Sequence, residues 1–233
     1  IEKRYRVAIV AKPTRPFSVA DKFKIDQYLM NGGKIIWMID ALNAEFDSLV
    51  VNRGEFVATE YPLGIEDQLM QYGVRINADL VQDMQCLRIP VPASVNPSGA
   101  APWFFRPVIN NFHSRHVLTQ NLDAIELDFA STIDTISRKN IETSVLMQTT
   151  ENSRFLRGPV QVSSGILVYP PKEEQFNKPN LTVGVLLEGE FESAFGVLER
   201  TAKDLTAQGI GGSEFVKGSS KTAMIFVSDG DLV

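Results

Sequence analysis

The chain has 233 residues, 44% hydrophobic and 22% charged, enough apolar material for a substantial core. Its 23 Lys plus Arg stand against 28 Asp plus Glu, a net charge of -5, which argues against a general nucleic-acid binder and against attraction to an anionic membrane surface. The lone cysteine, Cys86, excludes an intrachain disulfide and any zinc site built on several cysteines, and no run of about 18 apolar residues is present to span a bilayer.

The chain opens on "IEKRYRV" without Met and reads as an excised piece, with membrane segments expected outside it. A β-branched run from Val7 to Ala11 predicts a strand buried on both faces. Pro13 and Pro16 mark a loop. Ser18 with Asp21 three residues on resembles a capping box, so a helix is predicted over 19–30, stopped by Asn31, Gly32 and Gly33. "KIIWMID" is the next buried strand, and strand, helix and strand together predict a βαβ unit.

"GIEDQLMQYGV" predicts a short helix ending at Gly73, and "PVPASVNPSGAAPW" a surface loop. "DAIELDFAS", "TSVLMQT", "LTVGVLLEGEF" and "KTAMIFVSDGD" predict strands. "FESAFGVLERTAKDL" reads as a helix or an irregular segment, and the glycine-rich "QGIGGSEFVKGSS" as a mobile one. The expected whole is one α/β domain over 1–233, three-layered around a mainly parallel sheet, with a loop-rich excursion around 50–115.

In open α/β sheets ligands gather beyond the carboxyl ends of the strands. The candidate ligand-binding residues there are Lys12 and Thr14 after the first strand, Asp40 after the second, Glu188 and Glu190 after "TVGVLL", and Asp229 and Asp231 after the last. An oxygen-rich rim of this kind suits Mg²⁺ or Ca²⁺. Asp and Gly also make good turns, with Asp side chains bonding nearby N–H groups, and that is the expected role of Asp229 and Asp231, without a tightly bound metal.

Asp26 is a further candidate. It falls inside the apolar arc of the first helix, where a carboxylate must be paired or hydrogen-bonded, with Lys22 one turn earlier as an available partner. It reads as an anchor for a nearby loop or as a perturbed acid. His113 and His116 have i, i+3 spacing, which holds a metal only on a helix, and their flanks read as loop. Cys86 lacks the glycines of a nucleophile elbow. No G-x-G-x-x-G or P-loop occurs, so no cofactor is expected and no catalytic residue is assigned. Trp103, Phe104 and Phe105 read as a core plug or an exposed contact patch.

The stretches "VAIVAKPTRPFSVADKFKIDQYLMNGGKIIWMID", "QYGVRINADLVQDMQC", "LLEGEFESAF" and "VSDGDLV" resemble the soluble region of GldG, a gliding-motility-associated auxiliary component of a Bacteroidetes ABC transporter. The resemblance implies an extracytoplasmic, periplasmic domain anchored by segments outside the chain. It implies a flavodoxin-like or class I glutamine-amidotransferase-like fold, and a permease subunit and an ATPase as partners. It supplies no catalytic residue. A small-ligand binding domain for saccharide or peptide is the competing reading, and a carboxylate-dependent hydrolase a third.

Overall fold

The computed structural model describes residues 5–112 and 116–232. The predicted βαβ unit is there: strand β1 (Val7–Ala11), helix α1 (Val19–Met30) and strand β2 (Lys34–Met38), with β1 and β2 parallel, but β1 is exposed on one face rather than buried on both, because it lies at the edge of its sheet. Ser18 caps α1 by accepting the Asp21 N–H at 3.1 Å, and the chain leaves the helix through Gly32, whose φ of 85° suits a residue without Cβ.

The unit belongs to a six-stranded sheet ordered β1-β2-β16-β15-β12-β9, with β16 (Thr222–Val227), β15 (Thr182–Gly189), β12 (Ile141–Gln148) and β9 (Asn111–Phe112). β16 runs parallel to β2, whereas β15, β12 and β9 are each antiparallel to their neighbours. Four small antiparallel sheets complete the described strands. One orders β10 (Ile125–Glu126), β8 (Ala100–Ile109) and β7 (Cys86–Pro90); another orders β14 (Val160–Ser163), β4 (Glu55–Glu60) and β3 (Leu42–Asn43). The pairs β11 (Ile133–Thr135) with β5 (Val74–Ile76), and β13 (Ser153–Arg157) with β6 (Asp79–Asp83), make the rest. Helices α2 (Phe46–Val51), α3 (Glu66–Tyr72) and α4 (Glu199–Ala207) are short.

This architecture overturns the three-layer, mainly parallel expectation and with it the flavodoxin-like and amidotransferase-like assignments. Among the described strands the parallel pairings are two, β1 with β2 and β2 with β16. "TVGVLL" misled because an antiparallel strand covered on both faces is as continuously apolar as a parallel one, so hydrophobicity does not encode strand direction. Here β15 pairs antiparallel on both sides, and Val183 to Leu187 are buried.

The largest core cluster lies between the main sheet, α1 and α3, where Trp37 stacks on Phe226 at 6.1 Å and Leu29 and Tyr72 are closed from solvent. Each such side chain contributes roughly 1.5–3 kcal/mol of hydrophobic stabilisation. Trp103 and Phe105 lie in a second cluster with Phe129, and Phe104 is buried against Phe176, so the aromatic run forms core. The segment 208–220 is held at Val216, whose N–H donates to Gln27 Oε1 while its carbonyl accepts from Gln27 Nε2.

Candidate functional site

Because β1, β2 and β16 are parallel, their carboxyl ends share one edge of the sheet, and that edge gathers Lys12, Asp40, Asp229 and Asp231. Lys12 leaves β1 with a φ of 43°, a left-handed conformation uncommon for a residue with a side chain, while its N–H still donates to the Met38 carbonyl at 2.9 Å. Its ammonium sits 2.6 and 2.7 Å from the two oxygens of Asp231, 2.7 Å from Glu45 and 3.8 Å from Asp40. Burial lowers the Lys12 pKa, but the hydrogen bonds to Asp231 and Glu45 and the Asp40 charge outweigh it, and the amine stays protonated.

The carboxylates are built in from the backbone. Asp40 Oδ1 accepts the Gly230 N–H, and the two oxygens of Asp229 accept the N–H groups of Asp128 and Asp231, all at 2.7 Å. Gly230 is required for close approach: a Cβ there would lie 2.9 Å from Asp40 Oδ2 and from two carbons of the Lys12 side chain. Oxygens of Asp40, Asp229 and Asp231 lie within 4.8 Å of one another. Burial pushes the Asp40 carboxyl up to about 7 and the Asp229 carboxyl to about 6; the Gly230 N–H opposes the first shift and the Asp231 and Asp128 N–H groups the second.

Three carboxylates so close could supply oxygens to a hard cation, but Ca²⁺ takes six to eight. The cation in reach of this set is the Lys12 ammonium. What the arrangement does chemically is hold one fixed positive charge beside Asp40 and Asp229, whose carboxyl groups burial raises towards neutrality, and tie the ends of three strands together.

Sequence reasoning missed Glu45, Asp128 and Arg106. Glu45 precedes α2, and Asp128 pairs with Arg106 at 2.5 Å on the far side of Asp229. Asp128 was hidden inside "DAIELDFAS", read as one continuous strand; the chain is extended only at 125–126 and turns at Phe129 with a φ of 52°.

Glu188 and Glu190 do not join the rim. β15 runs antiparallel, so Glu188 lies opposite Ala223 near the start of β16, about 13 Å from its other end at about 3.3 Å per residue. Thr14 is exposed in the loop after Lys12.

Asp26 is elsewhere again, fully buried in a polar knot. Its Oδ1 accepts from the Tyr72 hydroxyl at 2.9 Å and the Ala194 N–H at 2.8 Å; its Oδ2 accepts from the Ser193 hydroxyl at 2.7 Å and Gln27 Nε2 at 3.0 Å. Burial raises its pKa against these four bonds. Lys22, the expected partner, turns instead to Asp67 and the Gly64 carbonyl. The knot joins α1 to α3 and to the segment after β15.

Burial also pushes the Cys86 thiol up to about 11, which leaves it protonated and a poor nucleophile at neutral pH. Of the histidine pair, His113 lies outside the described residues; His116 Nδ1 accepts from the Leu118 N–H in a turn.

A family model described as an ABC-type uncharacterized transport system matches residues 1–233. No curated protein matches the chain. Among solved structures, the mmIFT52 N-terminal domain is similar at 13% identity and a TM-score of 0.47, over 97% of this chain and 67% of that one, a likeness too low to carry an argument.

Proposed function

The chain belongs to the ABC-type uncharacterized transport system family, a family of auxiliary components, and from that premise we propose that it acts as a non-catalytic unit on the extracytoplasmic, periplasmic side of such a complex. Residues 1–233 work as one unit, held to the membrane by segments outside them. Its partners are the permease and ATPase subunits of the same complex. The finer reading is a GldG-like component of a Bacteroidetes gliding-motility machine, resting on the resemblance of the βαβ stretch and of "VSDGDLV".

The observation that carries the non-catalytic reading is the place of Lys12. Its ammonium is bonded to Asp231 and Glu45 and stands 3.8 Å from Asp40, beside the carboxyl groups whose pKa burial raises. A hydrolytic pair needs a free acid and base facing a substrate. Here the charges answer one another, and the N–H groups of Gly230, Asp231 and Asp128 take up the carboxylate oxygens behind them.

Protease accessibility in spheroplasts of the native organism tests the location. Digestion of this region from the outer face, with the ATPase protected, is expected. Protection of the region until the inner membrane is broken would place it in the cytoplasm and end the reading.

A further inference from the structure

We propose that the edge strand β1 pairs antiparallel with β1 of a second copy of this chain, joining two six-stranded sheets and placing Arg6 of each copy beside the other's Lys12 rim. This goes beyond the transport reading and does not rest on it.

β1 has β2 as its sole strand neighbour among the described residues. Lys34 donates its N–H to the Arg6 carbonyl and Lys12 its N–H to the Met38 carbonyl, so the even-numbered residues of β1 direct their polar groups at β2. Val7, Ile9 and Ala11 therefore turn their N–H and C=O groups to the open edge. Their side chains are exposed too, Val7 at 44% and Ile9 at 59%, continuing a row with the half-buried Ile36 and Ile225. An open edge with apolar side chains is what soluble proteins ordinarily blunt with charge, proline or a bulge. This strand, "VAIVA", has none of these.

The strand is self-complementary. With Ile9 opposite Ile9 of the second copy, Val7 meets Ala11 and Ala8 meets Val10, large against small, and each of the three outward residues falls in a hydrogen-bonded pair. Charge fixes the direction. The amino end of β1 is basic, with Arg6 and Lys34 exposed. The carboxyl end carries one ammonium among Asp40, Glu45, Asp229 and Asp231. Antiparallel pairing sets the basic end of each copy beside the acidic end of the other; parallel pairing would oppose like charges.

Two five-residue strands make a small interface, so association should be weak and weaken further with salt. Site-directed disulfides read the register directly. In a hydrogen-bonded antiparallel pair the opposed Cα atoms are about 5.5 Å apart, within the span of about 4.4–6.8 Å that a disulfide bridges. With Cys86→Ala removing the native thiol, Ile9→Cys should oxidise to a covalent dimer. Ala11→Cys alone should not, but Ala11→Cys mixed with Val7→Cys should give the heterodimer. Raising the salt from 50 mM to 500 mM should lower the Ile9→Cys yield several-fold. Absence of an Ile9→Cys dimer, or an equal yield from Ala11→Cys alone, would overturn the proposal.

Discussion

The ammonium of Lys12 lies 2.6 Å from Asp231 Oδ1, closing a contact between residues 219 positions apart in the chain. It joins the end of the first strand to the turn after the last, and Asp40, whose carboxyl burial raises to about 7, lies 3.8 Å from the same ammonium.

Lys12→Met removes the charge that Asp40, Glu45 and Asp231 share. The site is partly exposed, so the loss is below that of breaking a fully buried pair, about 1–2 kcal/mol at pH 8. At pH 5 Asp40 and Asp229 hold their protons and the loss should shrink. Urea unfolding of wild type and variant at both pH values checks it; an equal loss at pH 5 and 8 would show that the ammonium is not answering these carboxylates.

Asp40 has a carboxyl raised from 3.8 to about 7 by burial. Its stabilising contribution is therefore complete below about pH 4 and is lost as pH climbs through 7, because the unfolded chain releases the proton first. Asp40→Asn keeps an oxygen to accept the Gly230 N–H and carries no charge. The melting temperature of Asp40→Asn relative to wild type should thus rise between pH 5 and pH 8. A constant difference across that range would mean Asp40 titrates normally.

Much of the rim could be read in advance, and physics says why the rest could not. A β-branched run, a cap at Ser18 and a glycine stop define β1, α1 and β2, and strand order in a βαβ unit puts Lys12 and Asp40 at one edge. Asp229 and Asp231 join them because β16 is parallel to β2. Glu188 follows an equally apolar strand but points the other way, since pairing direction is set by tertiary contacts. Asp26 was visible as a carboxylate in an apolar arc. Its partners Tyr72, Ser193 and Ala194 are 46, 167 and 168 positions away, and no local pattern reaches so far.

Gly230→Ala should destabilise by about 1–3 kcal/mol through overpacking, since the new Cβ would stand 2.9 Å from Asp40 Oδ2 and the Lys12 side chain. Lys12→Gly clears the lysine carbons and should offset part of the loss in the double variant. Additive losses in a double-mutant cycle would show that the two residues do not crowd each other.

Asp26→Asn replaces an acceptor of four hydrogen bonds with a group that has one carbonyl oxygen and an amide facing donors. With the Asn carbonyl in the Oδ1 place the Ala194 N–H keeps its acceptor, but Gln27 Nε2, fixed by the bonds of its amide to Val216, then faces the new amide, and an unanswered buried donor costs about 1–3 kcal/mol. The variant should unfold at lower urea with an unchanged m-value. A loss below about 0.5 kcal/mol, the range of ordinary surface substitutions, would mean the knot repacks freely.

As a member of an ABC-type transport-system family, the chain is expected to bind the transporter itself. Affinity purification of the full-length protein from native membranes, with every co-purifying subunit identified, tests it most directly. A permease and an ATPase should be recovered in fixed ratio to the chain. Recovery of the protein free of both, from membranes shown to contain the assembled transporter, would contradict it.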